Sequence, residues 1–196
     1  MAGKREEVVE VVQKLVDDGT DVKEILNDSM IAAMRTIGDR FSRNEVYVPQ
    51  MLVAARAMQA GLDIIAPMLA DSGHKPIGKV AIGTVKGDLH DIGKNLVAIM
   101  VKGAGYEVVD LGVDCDVSKF EAAEQDGAQA LMLSALLTTT MPYMKEIVQH
   151  FKAKPDAPKI IIGGAPVTQA YADEIGADAY SPDANKAISA LEAVLA

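Results

Sequence analysis

Two hydrophobic rhythms divide this chain. Through its first third, apolar residues recur at helical spacing: Val8, Val11, Val12 and Leu15 follow the i, i+3, i+4, i+7 pattern of one buried helix face. Gly19 ends that predicted helix, and Asp21 caps the next, which carries Val22, Ile25 and Leu26. A further helical run holds Met30, Ala33, Met34, Ile37 and Phe41. Val48-Pro49 opens a long helix, with proline early, where no backbone N–H is missed. Met51, Leu52, Ala55, Met58 and Leu62 form its apolar stripe, and Pro67 is expected to kink or end it. These pieces predict a small all-α bundle over residues 1–72.

The polar stretch Asp71-Ser72-Gly73-His74-Lys75-Pro76 marks a change of rhythm. Beyond it Lys79–Thr84, Glu107–Asp110, Ala130–Ser134, Lys159–Ile162 and Ala179–Tyr180 read as short buried strands. Helical stretches near Ile92–Lys102, Val117–Asp126, Met141–Lys152, Thr168–Ile175 and Ala184–Leu195 separate them. Strand and helix alternating at this spacing predict βαβ units and a doubly wound, parallel, five-stranded sheet over residues 73–196. The expected architecture is an N-terminal helical bundle followed by an α/β domain.

Composition narrows the function classes. Hydrophobic residues make up 49% of 196 positions without a run of eighteen apolar residues, so no transmembrane helix is expected. Met1-Ala2-Gly3-Lys4-Arg5-Glu6-Glu7 turns acidic where a signal peptide needs an apolar stretch, which predicts a cytoplasmic protein with no membrane partner. One cysteine, Cys115, excludes an internal disulfide and a cysteine-based zinc site. A net charge of −9 argues against nucleic acid, because phosphate binding needs a basic face. His74 and His150 are expected to face solvent.

The candidate chemistry lies in Asp88-Leu89-His90-Asp91-Ile92-Gly93-Lys94-Asn95, between the first strand and the following helix. Ser134-Ala135-Leu136 closes the third strand and Gly163-Gly164 the fourth. In open parallel sheets, ligands bind outside the carboxyl ends of the strands, where all three pieces fall. A neutral imidazole at His90 suits a transition metal, and a partner on its other nitrogen, for which Asp88 is close enough, fixes which nitrogen faces it. Gly93 suits a tight loop. Glycines at 163 and 164 let backbone pass close to a bulky buried group, leaving a channel beside Ser134. A phosphate-binding loop fits poorly: five residues separate Gly87 from Gly93, and Asn95 replaces the hydroxyl that holds magnesium.

The triple of Asp-x-His-x-x-Gly, Ser-x-Leu and Gly-Gly resembles the signature of the vitamin B12-binding domain. The resemblance implies a Rossmann-like (flavodoxin-like) fold and a cobalamin or related corrinoid cofactor, as methylcob(III)alamin and cob(I)alamin. It makes His90 the lower axial ligand of cobalt and Asp88 the carboxylate behind it. Ser134, Leu136, Gly163 and Gly164 would line a channel for the displaced nucleotide tail, with Thr138 near it. Thr140 stands where methionine synthase relatives place a serine that completes a His-Asp-Ser chain. Phe41-Ser42-Arg43-Asn44-Glu45-Val46-Tyr47-Val48-Pro49-Gln50 and Ala54-Ala55-Arg56-Ala57-Met58 resemble the helical cap of that family, in which residues matching Phe41 and Val48 cover cobalt's upper face.

The likeness spans nearly the whole chain and is greatest to the stand-alone corrinoid proteins of three-component methyltransferase systems. It implies a methyl-carrier subunit rather than a stand-alone catalyst. The expected partners are a substrate:corrinoid methyltransferase, a corrinoid:acceptor methyltransferase and a reductive activase. Methanol, methylamines, betaines and O-methyl aromatics are all open as donors, and tetrahydrofolate or a coenzyme M-type thiol as acceptor. The resemblance leans to the O-demethylase type with tetrahydrofolate. Its alternative is a cobalamin-dependent sensor or regulator acting through a protein partner.

Overall fold

The computed structural model describes residues 5–73 and 75–196. Met1–Lys4 and His74 lie outside the described residues, so the expectation for His74 has no counterpart here. The chain divides into two compact units, one running through the N-terminal helices to Ile77 with Lys102–Gly105, the other Gly78–Val101 with Tyr106–Ala196.

In the helical unit, α1 (Arg5–Asp17) buries Val12 but leaves Val11 58% exposed, a narrower stripe than the spacing suggested. It closes through Gly19 N–H to Val16 O and Thr20 N–H to Leu15 O, a pairing that satisfies the last carbonyls of a helix. Asp21 then caps α2 (Val22–Glu24), its carboxylate accepting Lys23 N–H at 2.8 Å. A π-helical segment (Ile25–Ile31) follows without a break and leads into α3 (Ala32–Ser42). Its wider turn brings i and i+5 together, so Ile25 with Met30, and Leu26 with Ile31, are all buried.

α4 (Val48–Asp71) runs through Pro67. Pro67 does not end it, and the helix runs on past the missing N–H to close with Ser72 N–H on Met68 O. Val48–Leu69 is long and apolar enough, by length and composition alone, to cross a membrane, a test that the core helix of a soluble protein also passes. Met51, Ala54, Met58 and Ile65 are buried within the unit at the spacing of a core helix.

The second unit holds β1 (Lys79–Thr84), α5 (Ile92–Gly103), β2 (Glu107–Asp110), α6 (Val117–Gln125), β3 (Ala130–Ser134), α7 (Met141–Lys152), β4 (Lys159–Gly163), α8 (Gln169–Ile175), β5 (Ala179–Ser181) and α9 (Ala184–Leu195). All strand pairs are parallel, in the order β2-β1-β3-β4-β5. One face buries Ala81, Leu131, Leu133, Ile160 and Ile162 against Phe120, Met144, Ile147 and Phe151. The alternate residues Val80, Ile82, Met132 and Ile161 are buried as well, because helices cover both faces and a parallel sheet has no wet side. β4 runs one residue further than its apolar run and takes in Gly163, in register with Ser134 on one side and Ser181 on the other.

This order reverses direction between β1 and β3, since the chain leaves β1 for β2 on one flank and returns to β3 on the other. A reversal of this kind is where open α/β sheets take their ligands, outside the carboxyl ends of the strands. The loops leaving β1 and β3 carry Asp88–His90 and Leu136–Thr140. His150, expected to face solvent, is instead half-buried: its Nε2 lies 2.7 Å from Glu121 Oε1 and its ring stands edge-on to Phe151.

Candidate functional site

Asp88 joins the loops that leave β1 and β3. Its side chain is 0% exposed, which for a carboxylate demands a full set of donors. Oδ1 accepts the backbone N–H of His90 at 3.1 Å and lies 2.7 Å from His90 Nδ1. Oδ2 accepts Leu136 N–H at 2.8 Å, Leu137 N–H at 3.3 Å and the Thr140 hydroxyl at 2.8 Å. Thr140 Oγ1 also lies 2.9 Å from Leu137 O, and a single hydroxyl proton serves only one of the two acceptors. An ionised carboxylate is the stronger acceptor and takes it.

Burial pushes the Asp88 carboxyl up. Hydrogen bonds from Leu136 N–H, from the His90 backbone and ring, and from Thr140 outweigh it and hold the group well below the usual carboxylate range. An ionised Asp88 can only accept, so in the neutral imidazole the proton sits on Nδ1 and Nε2 keeps its lone pair. The His90 side chain is 51% exposed, so that lone pair is available to a ligand.

Among the described residues no group of three or more His, Cys, Asp or Glu side chains could hold a metal ion. One oriented imidazole nitrogen is too little for a bare cation, but it suits a metal already held equatorially by a macrocycle. Leu89, Ile92, Leu136 and Leu137 are 72, 79, 42 and 42% exposed, large apolar side chains on the loops and helix start beside His90 that a bulky apolar group would cover. The residues present therefore fit a corrinoid.

The structure brings Asp88, His90, Leu136 and Thr140 into one hydrogen-bonded set. Leu136 contributes through its backbone N–H, which no side-chain pattern announces. Ser134 and Gly163 are neighbours in the β3–β4 ladder, and Ala135 N–H donates to Gly163 O at 3.2 Å. Gly164 has φ +131°, and a Cβ there would stand 1.8 Å from Ala135 O, so the protein's own backbone demands glycine before any ligand does. Gly93 corrects the expectation of a tight loop: it lies in the first turn of α5 with open space around its Cβ position. The turn falls at Gly87 instead, where φ is +80°. Thr138 is exposed and joins none of these bonds. Phe41, near the end of α3, and Val48, the first residue of α4, are half-buried members of the helical unit.

Sequence reasoning passed over Thr84, Lys94, Asp110 and Asp114. Lys94 is buried and its ammonium lies 2.5 Å from Asp110 Oδ1, pinning the start of α5 to the end of β2 rather than facing a phosphate. A threonine closing an otherwise apolar strand was the available signal for Thr84.

Asp88→Asn is expected to be far from silent, although asparagine is as good a turn residue as aspartate. Its NH2 would face donors on whichever side it was placed, so the apo protein should lose about 2–3 kcal/mol. The sign of the pH effect follows from the lowered pKa. Stability contributed by Asp88 is present above the unfolded carboxylate value of about 4 and is lost as pH falls from there through the folded value. Acid unfolding of apo parent beside apo mutant should show a shallower pH slope in the mutant below about pH 4. Superimposable slopes would remove Asp88 from the acid response.

B12-binding domain models match residues 78–192 and residues 1–66. A corrinoid protein of Desulfitobacterium hafniense is 38% identical over 98% of this chain and 92% of its own length. The trimethylamine corrinoid protein of Methanosarcina barkeri is 40% identical over 95% of this chain and 88% of its own. A chain of the methanol:cobalamin methyltransferase complex of Methanosarcina barkeri superposes with a TM-score of 0.88 at 28% identity, over 98% of this chain and 75% of that one.

Proposed function

Because this chain belongs to the B12-binding corrinoid proteins of methyltransferase systems, we propose that it carries a methyl group on cobalt between two partner enzymes. The observation that carries the reading is the half-exposed His90 ring, set by a buried, ionised Asp88 so that Nε2 faces outward with a free lone pair. The corrinoid, when bound, supplies the cobalt centre that accepts and releases methyl, and the protein supplies ligation, orientation and exclusion of water.

His90 would hold the metal through Nε2, and Asp88 fixes its tautomer and orientation. Thr140 and the N–H groups of Leu136 and Leu137 keep Asp88 ionised and still. Thr140 does the work proposed for a serine at this place; its hydroxyl reaches Asp88 at 2.8 Å despite the added methyl. Ser134, Gly163 and Gly164, at the carboxyl ends of β3 and β4, would border the nucleotide tail.

The likeness to a trimethylamine corrinoid protein and to a chain of the methanol:cobalamin complex supports a first partner that demethylates a small substrate and a second that passes methyl to an acceptor. The O-methyl aromatic donor with tetrahydrofolate is the finer form of this proposal. The full chain, reconstituted with cobalamin and reduced, should be methylated by one of the donor methyltransferases specific for trimethylamine, dimethylamine, methanol or an O-methyl aromatic. The donor that works names the class. If none loads the protein, and a partner protein's activity instead follows cofactor binding, the carrier reading gives way to the sensor.

A further inference from the structure

The loop bearing His90 is tied down by residues that touch neither the imidazole nor the Asp88 carboxylate. Thr84 closes β1 with a side chain that is completely buried, and its hydroxyl donates to the backbone carbonyl of His90 at 2.8 Å. Asp114 sits in the loop after β2 in the left-handed region, φ +51°. Its Oδ1 accepts the N–H of Gly87 at 2.8 Å, and its own N–H donates to Asp88 O at 3.1 Å. Two more backbone bonds join the same loops, Thr84 N–H to Gly112 O at 3.0 Å and Cys115 N–H to Thr84 O at 2.9 Å.

We propose that Thr84 and Asp114 form a two-point clamp that fixes the backbone of the His90 loop in its ligand-ready conformation, so that the imidazole is positioned before cofactor arrives. The inference rests on the reading of His90 as the cobalt ligand. Side-chain bonds to Asp88 set the ring's tautomer and tilt and anchor the carboxylate to the loop after β3, but they cannot hold the backbone at Gly87 or at the His90 carbonyl. The clamp can, since both of its members belong to other segments: Thr84 to the rigid end of a central strand, Asp114 to the neighbouring loop. Its grip on Gly87 falls at the one turn of the loop that needs positive φ, where an unheld backbone has most freedom. A positioned ligand loses less conformational freedom on binding, and a ring held out of line by an ångström forfeits much of its bond.

Two pairs of substitutions separate clamping from mere folding. Thr84→Val keeps shape and burial but removes the donor to His90 O, and Thr84→Ser restores it. Asp114→Gly keeps the left-handed backbone but removes the acceptor for Gly87 N–H, and Asp114→Asn keeps both. Each full-length protein is reconstituted with cob(II)alamin and the histidine-bound fraction read from nitrogen splitting in the electron paramagnetic resonance spectrum. Amide exchange at Gly87 and the melting temperature are measured on the apo protein.

The ratio of histidine-off to histidine-on cobalt is expected to rise about tenfold in Thr84→Val and in Asp114→Gly. Gly87 exchange should accelerate by a similar factor in Asp114→Gly, and the serine and asparagine variants should stay near the parent. Parent-like ratios in Thr84→Val and Asp114→Gly, with splitting present throughout, would overturn the clamp and leave the ligand assignment standing. A parent protein without nitrogen splitting would overturn both. A ratio that changes only in step with melting temperature, in the conservative variants too, would reduce the clamp to ordinary fold stability and so overturn it.

Discussion

His90→Ala is expected to abolish the nitrogen splitting of protein-bound cob(II)alamin and to shift the Co(III) absorption spectrum to the form without a lower nitrogen ligand. The physical case is one of supply. Among the described residues the only other histidine is His150, whose Nε2 is engaged by Glu121 between α6 and α7, so no other described histidine is free to substitute for His90. The apo fold should survive, because the buried Asp88 carboxylate keeps the backbone N–H of residue 90, both N–H groups of Leu136 and Leu137, and the Thr140 hydroxyl. Methyl transfer should slow on the order of 100-fold, the upper end of the cost of disturbing a supported metal ligand. His150→Ala is the control and should leave the spectra untouched. Nitrogen splitting retained in His90→Ala loaded with a corrinoid that lacks the nucleotide base would sink the ligand assignment whatever the activity.

Gly164→Ala should cost the apo protein about 4 kcal/mol or more, well above the ordinary substitution. Its Cβ would be driven to 1.8 Å from Ala135 O and 2.9 Å from Ala135 C, and neither atom can retreat because Ala135 is fully buried at the end of the central strand β3. The φ of +131° adds backbone strain that an L residue rarely bears. For a chain of this size such a loss lowers the melting temperature by roughly 10 °C. Gly163→Ala is milder: its Cβ would meet Ser181 O at 2.9 Å, across an edge pair where a three-residue strand can give. The damage should also reach the ligand, since Ala135 precedes Leu136, whose N–H holds Asp88. An apo melting temperature for Gly164→Ala within a degree or two of the parent would show that this close approach is dispensable. Cofactor affinity of Gly163→Ala is the cleaner probe of the tail channel, because alanine at 164 injures the fold first.

The parallel sheet was legible because both its faces are buried. Strands such as Ala130–Ser134 are then continuous apolar runs, and each is separated from the next by one amphipathic helix, a pattern with a single reasonable solution. Helix ends marked by chemistry were equally legible: Asp21 and Gly19 do what their side chains, or the lack of one, dictate locally. The π-helical turn at Ile25–Ile31 was not, since its buried pairs recur at five residues and a search at 3.6 sees them as part of an ordinary helix. Val11 failed for a related reason. Spacing says which residues share a face but not how much of that face a neighbour covers.

The amino-acid sequence by itself determined the candidate ligand pair. Asp88 two residues before His90, at the end of the first strand of a βαβ unit, follows from the order of residues alone, and so does the family signature with Ser134 and Gly163-Gly164. The tertiary structure decided what makes that pair work. Asp88 stays ionised while fully buried because Leu136, Leu137 and Thr140 arrive from a loop roughly fifty residues away. Gly164 must be glycine because β4 ends against Ala135, and the His90 loop is held by Thr84 and Asp114 from two other segments. None of these is a property of a residue and its near neighbours. Each depends on which strands lie side by side, and the β2-β1-β3-β4-β5 order that sets this comes from packing a twisted sheet between two layers of helices.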